Sequence, residues 1–167
     1  VTHPSDSIGA ILAVADWLSR TRVAEGQPPL LMHEVFEFVI KAYELTGGMA
    51  LQYNIGWELG IDVIILIKVA CAAVVTQMLG GSHDEIVNAV SNAFIDGHPL
   101  ILYRRKGNTG SRKSWAAADA ASRGVWLALM AVKGEMGYAS IPTAPKYGFY
   151  ASHTGGKPVK LQRPYGD

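Results

Sequence analysis

One cysteine, Cys71, serves all 167 residues, so an internal disulfide is excluded and a reducing compartment suits the chain. The histidines are scattered (His3, His33, His83, His98 and His153), and none stands at ligand spacing from Cys71, so no metal set is visible. The stretch 107–114, GNTGSRKS, lacks the spacing of a phosphate-binding Walker loop, and no Gly-x-Ser-x-Gly elbow occurs. Metal, cofactor and serine-nucleophile chemistry are therefore not expected. An excess of one charge is lacking too. The net charge of +1 gives no global pull towards nucleic acid or an anionic membrane.

Long apolar runs are limited to residues 62–79, DVIILIKVACAAVVTQML. Lys68 interrupts that run, which is shorter than the roughly 20 residues a bilayer needs. It reads as the buried central rod of a helical bundle, its lysine either reaching solvent or meeting a carboxylate. No charged-then-apolar leader is present, and both ends, Val1 and Asp167, read as cut points in a longer protein.

What the chain does have is helical periodicity. Ile8, Ile11, Leu12, Ala15 and Leu18 predict a helix over 8–22, capped by Ser5 or Asp6 and ended by Gly26-Gln27-Pro28-Pro29. A second helix is expected over 31–45, with Phe36, Val39, Ile40 and Tyr43 as its apolar stripe and Gly47-Gly48 as its break. Residues 49–57 read as a short helical or irregular piece. Gly80-Gly81 closes the rod, and Ser82 with Glu85 makes a capping box for the next helix, which Ile86, Val90 and Phe94 line. The last long helix, 113–134, carries Ala116, Ala117, Ala118, Ala120, Ala121 and Gly124, which let a neighbour approach closely. Asp119 and Arg123 are spaced for an i,i+4 pair. Beyond Gly137, prolines and glycines mark an irregular arm. The expected fold is mainly α, an antiparallel bundle over 1–137 with an arm over 138–167.

Residues 96–121 carry the chemistry. Arg104, Arg105, Lys106, Arg112 and Lys113 surround the turn Gly107-Asn108-Thr109-Gly110, and no acid lies between Asp96 and Asp119. Cations and amide donors at a helix start form a place for an anion. Lys113, beside Arg112 and near the positive end of a helix, is a candidate proton carrier. His3, just ahead of a helix, is another. A basic turn without interleaved aromatics does not suit nucleic acid.

His3-Pro4-Ser5-Asp6, Ala13-x-Ala15-Asp16-Trp17-Leu18-Ser19-Arg20, Lys68-Val69-Ala70 and Glu85-Ile86-x-Asn88-Ala89-Val90-Ser91 resemble the MmgE/PrpD superfamily, in particular its 2-methylcitrate dehydratases. The most specific match is Asn108-Thr109-Gly110-Ser111-Arg112-Lys113-Ser114-Trp115-Ala116-Ala117, and Gln162-Arg163-Pro164-Tyr165-Gly166 closes it. The resemblance covers nearly the whole chain. It implies part of a large all-helical domain, a homodimer in a cytoplasm or mitochondrial matrix, and a metal-free lyase of propionate catabolism acting on a small tricarboxylate. It implies that His3 and Lys113 are catalytic and that Arg112 binds substrate, with Arg104 and Asn108 as secondary contacts. Which of His3 and Lys113 is acid and which is base stays open. A cis-aconitate decarboxylase or a non-catalytic relative are the other readings. They draw on two departures: Val63 where the family carries His, and Ile101 with Arg105 where it carries Arg and His.

Overall fold

In the computed structural model, which describes residues 3–52, 59–158 and 164–166, the periodicities become helices. A 3-10 turn, Pro4–Ser7, leads into α1 (Ile8–Ala24), and α2 spans Met32–Gln52. The rod is α3 (Ile65–Met78), followed by α4 (His83–Ile95), a second 3-10 turn (Ile101–Arg104), α5 (Arg112–Ala131) and the short α6 (Phe149–His153). Among the described residues there is no strand, only an antiparallel bridge between Ile61 and Leu100. The mainly α class expected from the sequence is what forms.

The rod is central because it has no polar face to turn outward. Apart from Ala73 and Gln77, every residue of α3 is buried, and α1, α2, α4 and α5 all pack against it. The closest of these is α5, whose inner face is Ala116, Ala120, Ala121, Gly124, Leu127, Ala128 and Ala131. Small side chains there let two backbones meet, and Gly124 faces the Lys68 carbonyl and the Cys71 side chain. No described helix is long and apolar enough to cross a membrane.

Lys68 does not reach solvent. It is 4% exposed, and Nζ donates to the carbonyl of Asp96 and, at 3.2 Å, to that of Gly97. The Asp96 carboxylate stands 3.7 Å away. A buried ammonium holding two carbonyls fixes the segment that leaves α4. Burial pulls the Lys68 pKa down, and nearby Asp96 pulls it partly back.

Several local expectations are overturned by tertiary contacts. Gly47 and Gly48 do not break α2, which runs on to Gln52. Each glycine costs about 1 kcal/mol relative to alanine in a helix, but burial of Thr46 and Met49 beside them outweighs that. Residues 49–52 therefore belong to α2, and 53–58 lie outside the described residues. The core stripe of α2 is Val35, Ala42, Thr46 and Met49, while Phe36 and Ile40 are each 59% exposed. Ser5 and Asp6 do not cap α1. The residue before it is Ser7, whose hydroxyl donates to the Pro4 carbonyl at 2.6 Å. The Ser82–Glu85 capping box forms as the sequence predicts.

The arm is not wholly irregular, because α6 docks its Phe149 under α4. The Phe149 ring lies 5.0 Å from that of Phe94 and stacks on His153 at 4.9 Å. His98 closes this cluster edge-on to both, with Nδ1 buried and unpartnered among the described residues. Burial, with Lys68 and His153 nearby, pushes the His98 pKa down to about 4. An unfolded imidazole takes its proton near 6.5, so between these values the unfolded chain binds more protons. Stability should be intact above that window and fall as pH drops through it. Urea midpoints measured across the window should slope, and His98→Gln should flatten the slope. Identical profiles would mean His98 is not buried as described.

Candidate functional site

The site is built on an apolar floor. Ala10 of α1, Ile64 and Ile67 at the head of α3, and Ala116, Ala120 and Ala121 of α5 form one buried cluster, with Tyr103 packed against it. The first turns of three helices therefore meet, and their positive dipole ends share one region. The 3-10 turn after His3 packs against α2, α3 and α5. The structure thus brings the turn that follows His3 against the helix that begins with Arg112 and Lys113.

His3 itself is the N-cap of that turn. The Ser5 backbone N–H donates to its Nδ1 at 3.2 Å, and the Ser5 hydroxyl lies 2.7 Å from the same nitrogen. With Nδ1 accepting, a neutral His3 carries its proton on Nε2. When the ring gains a second proton, the Ser5 hydroxyl can accept from Nδ1 instead. The ring is exposed, edge-on to Tyr43 at 6.1 Å.

The basic stretch is less open than its sequence implies. Asp62, fully buried, accepts from Arg104 Nε at 2.6 Å and from the Tyr103 hydroxyl. Burial opposes the charge of Arg104, but Asp62 outweighs it and raises its pKa. Burial and the Asp62 carboxylate together push the Tyr103 phenol up to about 12. Arg112 stacks on Trp115 at 4.3 Å and on Tyr103 at 5.2 Å, with Asp119 at 3.7 Å. Arg104 and Arg112 are therefore each matched by an acid outside the stretch's own turn. The expected Asp119–Arg123 pair is replaced, because Arg123 forms a two-toothed pair with Asp96 at 2.7 and 2.9 Å.

Nor are all the amide donors available. The Lys113 N–H bonds to the Gly110 carbonyl at 3.2 Å and that of Ser114 to Ser111 at 3.0 Å. Side-chain cations, more than backbone amides, are what the helix start offers an anion. Lys113 is exposed, and its side chain makes no hydrogen bond or ion pair among the described residues. Asn108 is exposed in the turn, its N–H held by the Arg105 carbonyl at 2.9 Å. Gly107 makes this turn at φ +87°, a conformation L residues rarely adopt.

The sequence reading missed Asp62 and Tyr103. Their signal was an acid heading an otherwise apolar run, since a carboxylate buried there needs a donor. Val63, at the position where the resembling proteins carry His, packs on the apolar cluster that includes Ile65, Leu66 and Val69. A cavity of about 260 Å³ is lined by Lys68, Asp96, Asp119 and Arg123; Asp96 pairs with both Lys68 and Arg123, and Asp119 with Arg112. Among the described residues no three His, Cys, Asp or Glu gather as a metal set.

Comparison with known proteins gives this arrangement relatives. The chain is 54% identical over 164 residues to the 2-methylcitrate dehydratase of Escherichia coli K12, covering 98% of this chain and 34% of the relative. The Cupriavidus necator 2-methylcitrate dehydratase is 53% identical with the same coverage. The mitochondrial 2-methylcitrate dehydratase of Yarrowia lipolytica is 50% identical over 166 residues, covering 98% of this chain and 32% of its own length. The chain thus spans about a third of the length of these relatives. Residues 1–162 match the family described as the MmgE/PrpD N-terminal domain, and with nearly its whole length so matched, the chain belongs to that family.

Proposed function

We propose that this chain supplies part of the active site of a hydro-lyase that removes water from 2-methylcitrate to give 2-methyl-cis-aconitate. The observation that carries the reading is that the turn after His3 packs against the helix that begins with Arg112 and Lys113. The similarity to dehydratases at about half identity supports the same substrate. Three carboxylates need clustered cations, and Arg112 with Arg104, which share the Tyr103 ring, and Asn108 of the turn before the helix are the receiving set.

Elimination takes a proton from the carbon next to a carboxylate and sends the hydroxyl away as water. His3 moves the proton, held by Ser5 in either charge state. Lys113 neutralises a carboxylate or assists the leaving oxygen. No step is assigned to a metal. The protein works as a homodimer in a bacterial cytoplasm or a mitochondrial matrix, and the exposed stripe of Met32, Phe36 and Ile40 on α2 suits a packed partner.

Full-length protein carrying this segment, treated with a chelator, should generate the ultraviolet absorbance of an unsaturated tricarboxylate from 2-methylcitrate and sediment as a dimer. No absorbance change alongside an active relative would sink the reading. Itaconate formed from cis-aconitate would replace it with decarboxylation.

A further inference from the structure

We propose that buried Asp62 is a positioning residue, setting through Tyr103 and Arg104 the guanidinium array that receives the substrate's carboxylates. This rests on the tricarboxylate reading above.

The backbone around Asp62 is fastened from both sides. Its N–H donates to the Pro99 carbonyl at 2.7 Å, and the Ile101 N–H donates to the Gly60 carbonyl at 2.9 Å, flanking the Ile61–Leu100 bridge. Inside that clasp the carboxylate has no exposure. One oxygen accepts from the Ile64 N–H at 3.2 Å, at the head of α3. The other receives Arg104 Nε and the Tyr103 hydroxyl.

A buried carboxylate of this kind is a poor device for stability alone. Desolvating two charges offsets most of their attraction, and apolar residues of similar volume do the same work as well or better. Its distinguishing result lies at the outer end. The Arg104 and Arg112 guanidiniums each lie 5.2 Å from the Tyr103 ring centroid. Side-chain exposure rises along this path, from 0% at Asp62 to 24% at Arg104 and 37% at Arg112. A fixed anion therefore orients one arginine directly and, through an aromatic plate, a second beside Lys113. Pre-ordering long side chains removes part of the entropy cost of ligand binding. An anion that stays buried does this without occupying the outward face of the array.

Tyr103→Phe tests the idea, because it keeps the plate and the Arg104–Asp62 pair and removes only the phenol's bond. In full-length protein, KM for 2-methylcitrate should rise about tenfold with kcat within about twofold, the pattern of lost uniform binding. Asp62→Asn should shift KM further in the same direction. The Tyr103→Phe melting midpoint should stay near that of the parent. An unchanged KM in that variant overturns the proposal, as does a fall in kcat alone. An inactive parent would instead remove the dehydratase reading. Calorimetric titration of this chain with tricarballylate then decides the array. Weaker binding by Tyr103→Phe supports it, and equal or absent binding by both overturns it.

Discussion

Lys113→Ala in the full-length protein is expected to lower kcat by about 10²–10⁴-fold, the usual worth of a positioned acid–base group. Folding should be almost untouched. The Lys113 side chain is exposed and holds nothing among the described residues, and surface substitutions of that kind stay within about 0.5 kcal/mol. Lys113→Arg separates two roles, since arginine keeps the charge and cannot give up its proton at working pH. If Arg restores turnover, Lys113 acts as a fixed charge on a carboxylate. If it does not, Lys113 carries a proton. A kcat unchanged in the alanine variant would take Lys113 out of the chemistry altogether. Initial rates and a urea melt on the same preparations read both halves.

Gly124→Ala should destabilise the fold by up to about 3 kcal/mol, at the high end for overpacking. A Cβ there would stand 2.6 Å from the Cys71 Cβ, 2.8 Å from the Lys68 carbonyl oxygen and 3.0 Å from the Ala72 nitrogen. Two of those neighbours are backbone of a buried helix and have no rotamer to change. Relief requires α3 and α5 to separate along their whole contact. Gly47→Ala is the matched control. Its Cβ would meet nothing within 4 Å, and α2 is regular there, so it should stabilise by about 1 kcal/mol through helix propensity. A denaturant midpoint for Gly124→Ala equal to the parent's would show that the two helices do not meet as described.

What the sequence revealed and what it hid divide along a physical line. The rod, the Ser82–Glu85 cap and the alanine face of α5 were legible because each is written in residues three or four apart. Gly47-Gly48 misled for the same reason. A local rule marks a break there, and only packing of Thr46 and Met49 against the rod overrides it. Phe36 and Ile40 share the α2 periodicity with Val39, and nothing local tells which side of a wide stripe will be covered. Arg123 had an acid four residues before it and chose Asp96, 27 positions away, because the end of α4 returns to α5. Asp62 and Tyr103 are 41 positions apart, so no window of sequence contains their bond. The cations of the candidate site are plain in the chain. The buried partner of Arg104, Asp62, is not.

The shared floor under the three helix starts makes the site a single gauge. Ala10 and Ala116 share one buried cluster, and their small volume lets α1 and α5 approach closely. A methylene added to fully buried Ala116 would have to push α5 from its neighbours and carry Arg112 and Lys113 with it. Substitutions among the exposed groups above the floor leave that spacing alone, because it belongs to the alanines beneath.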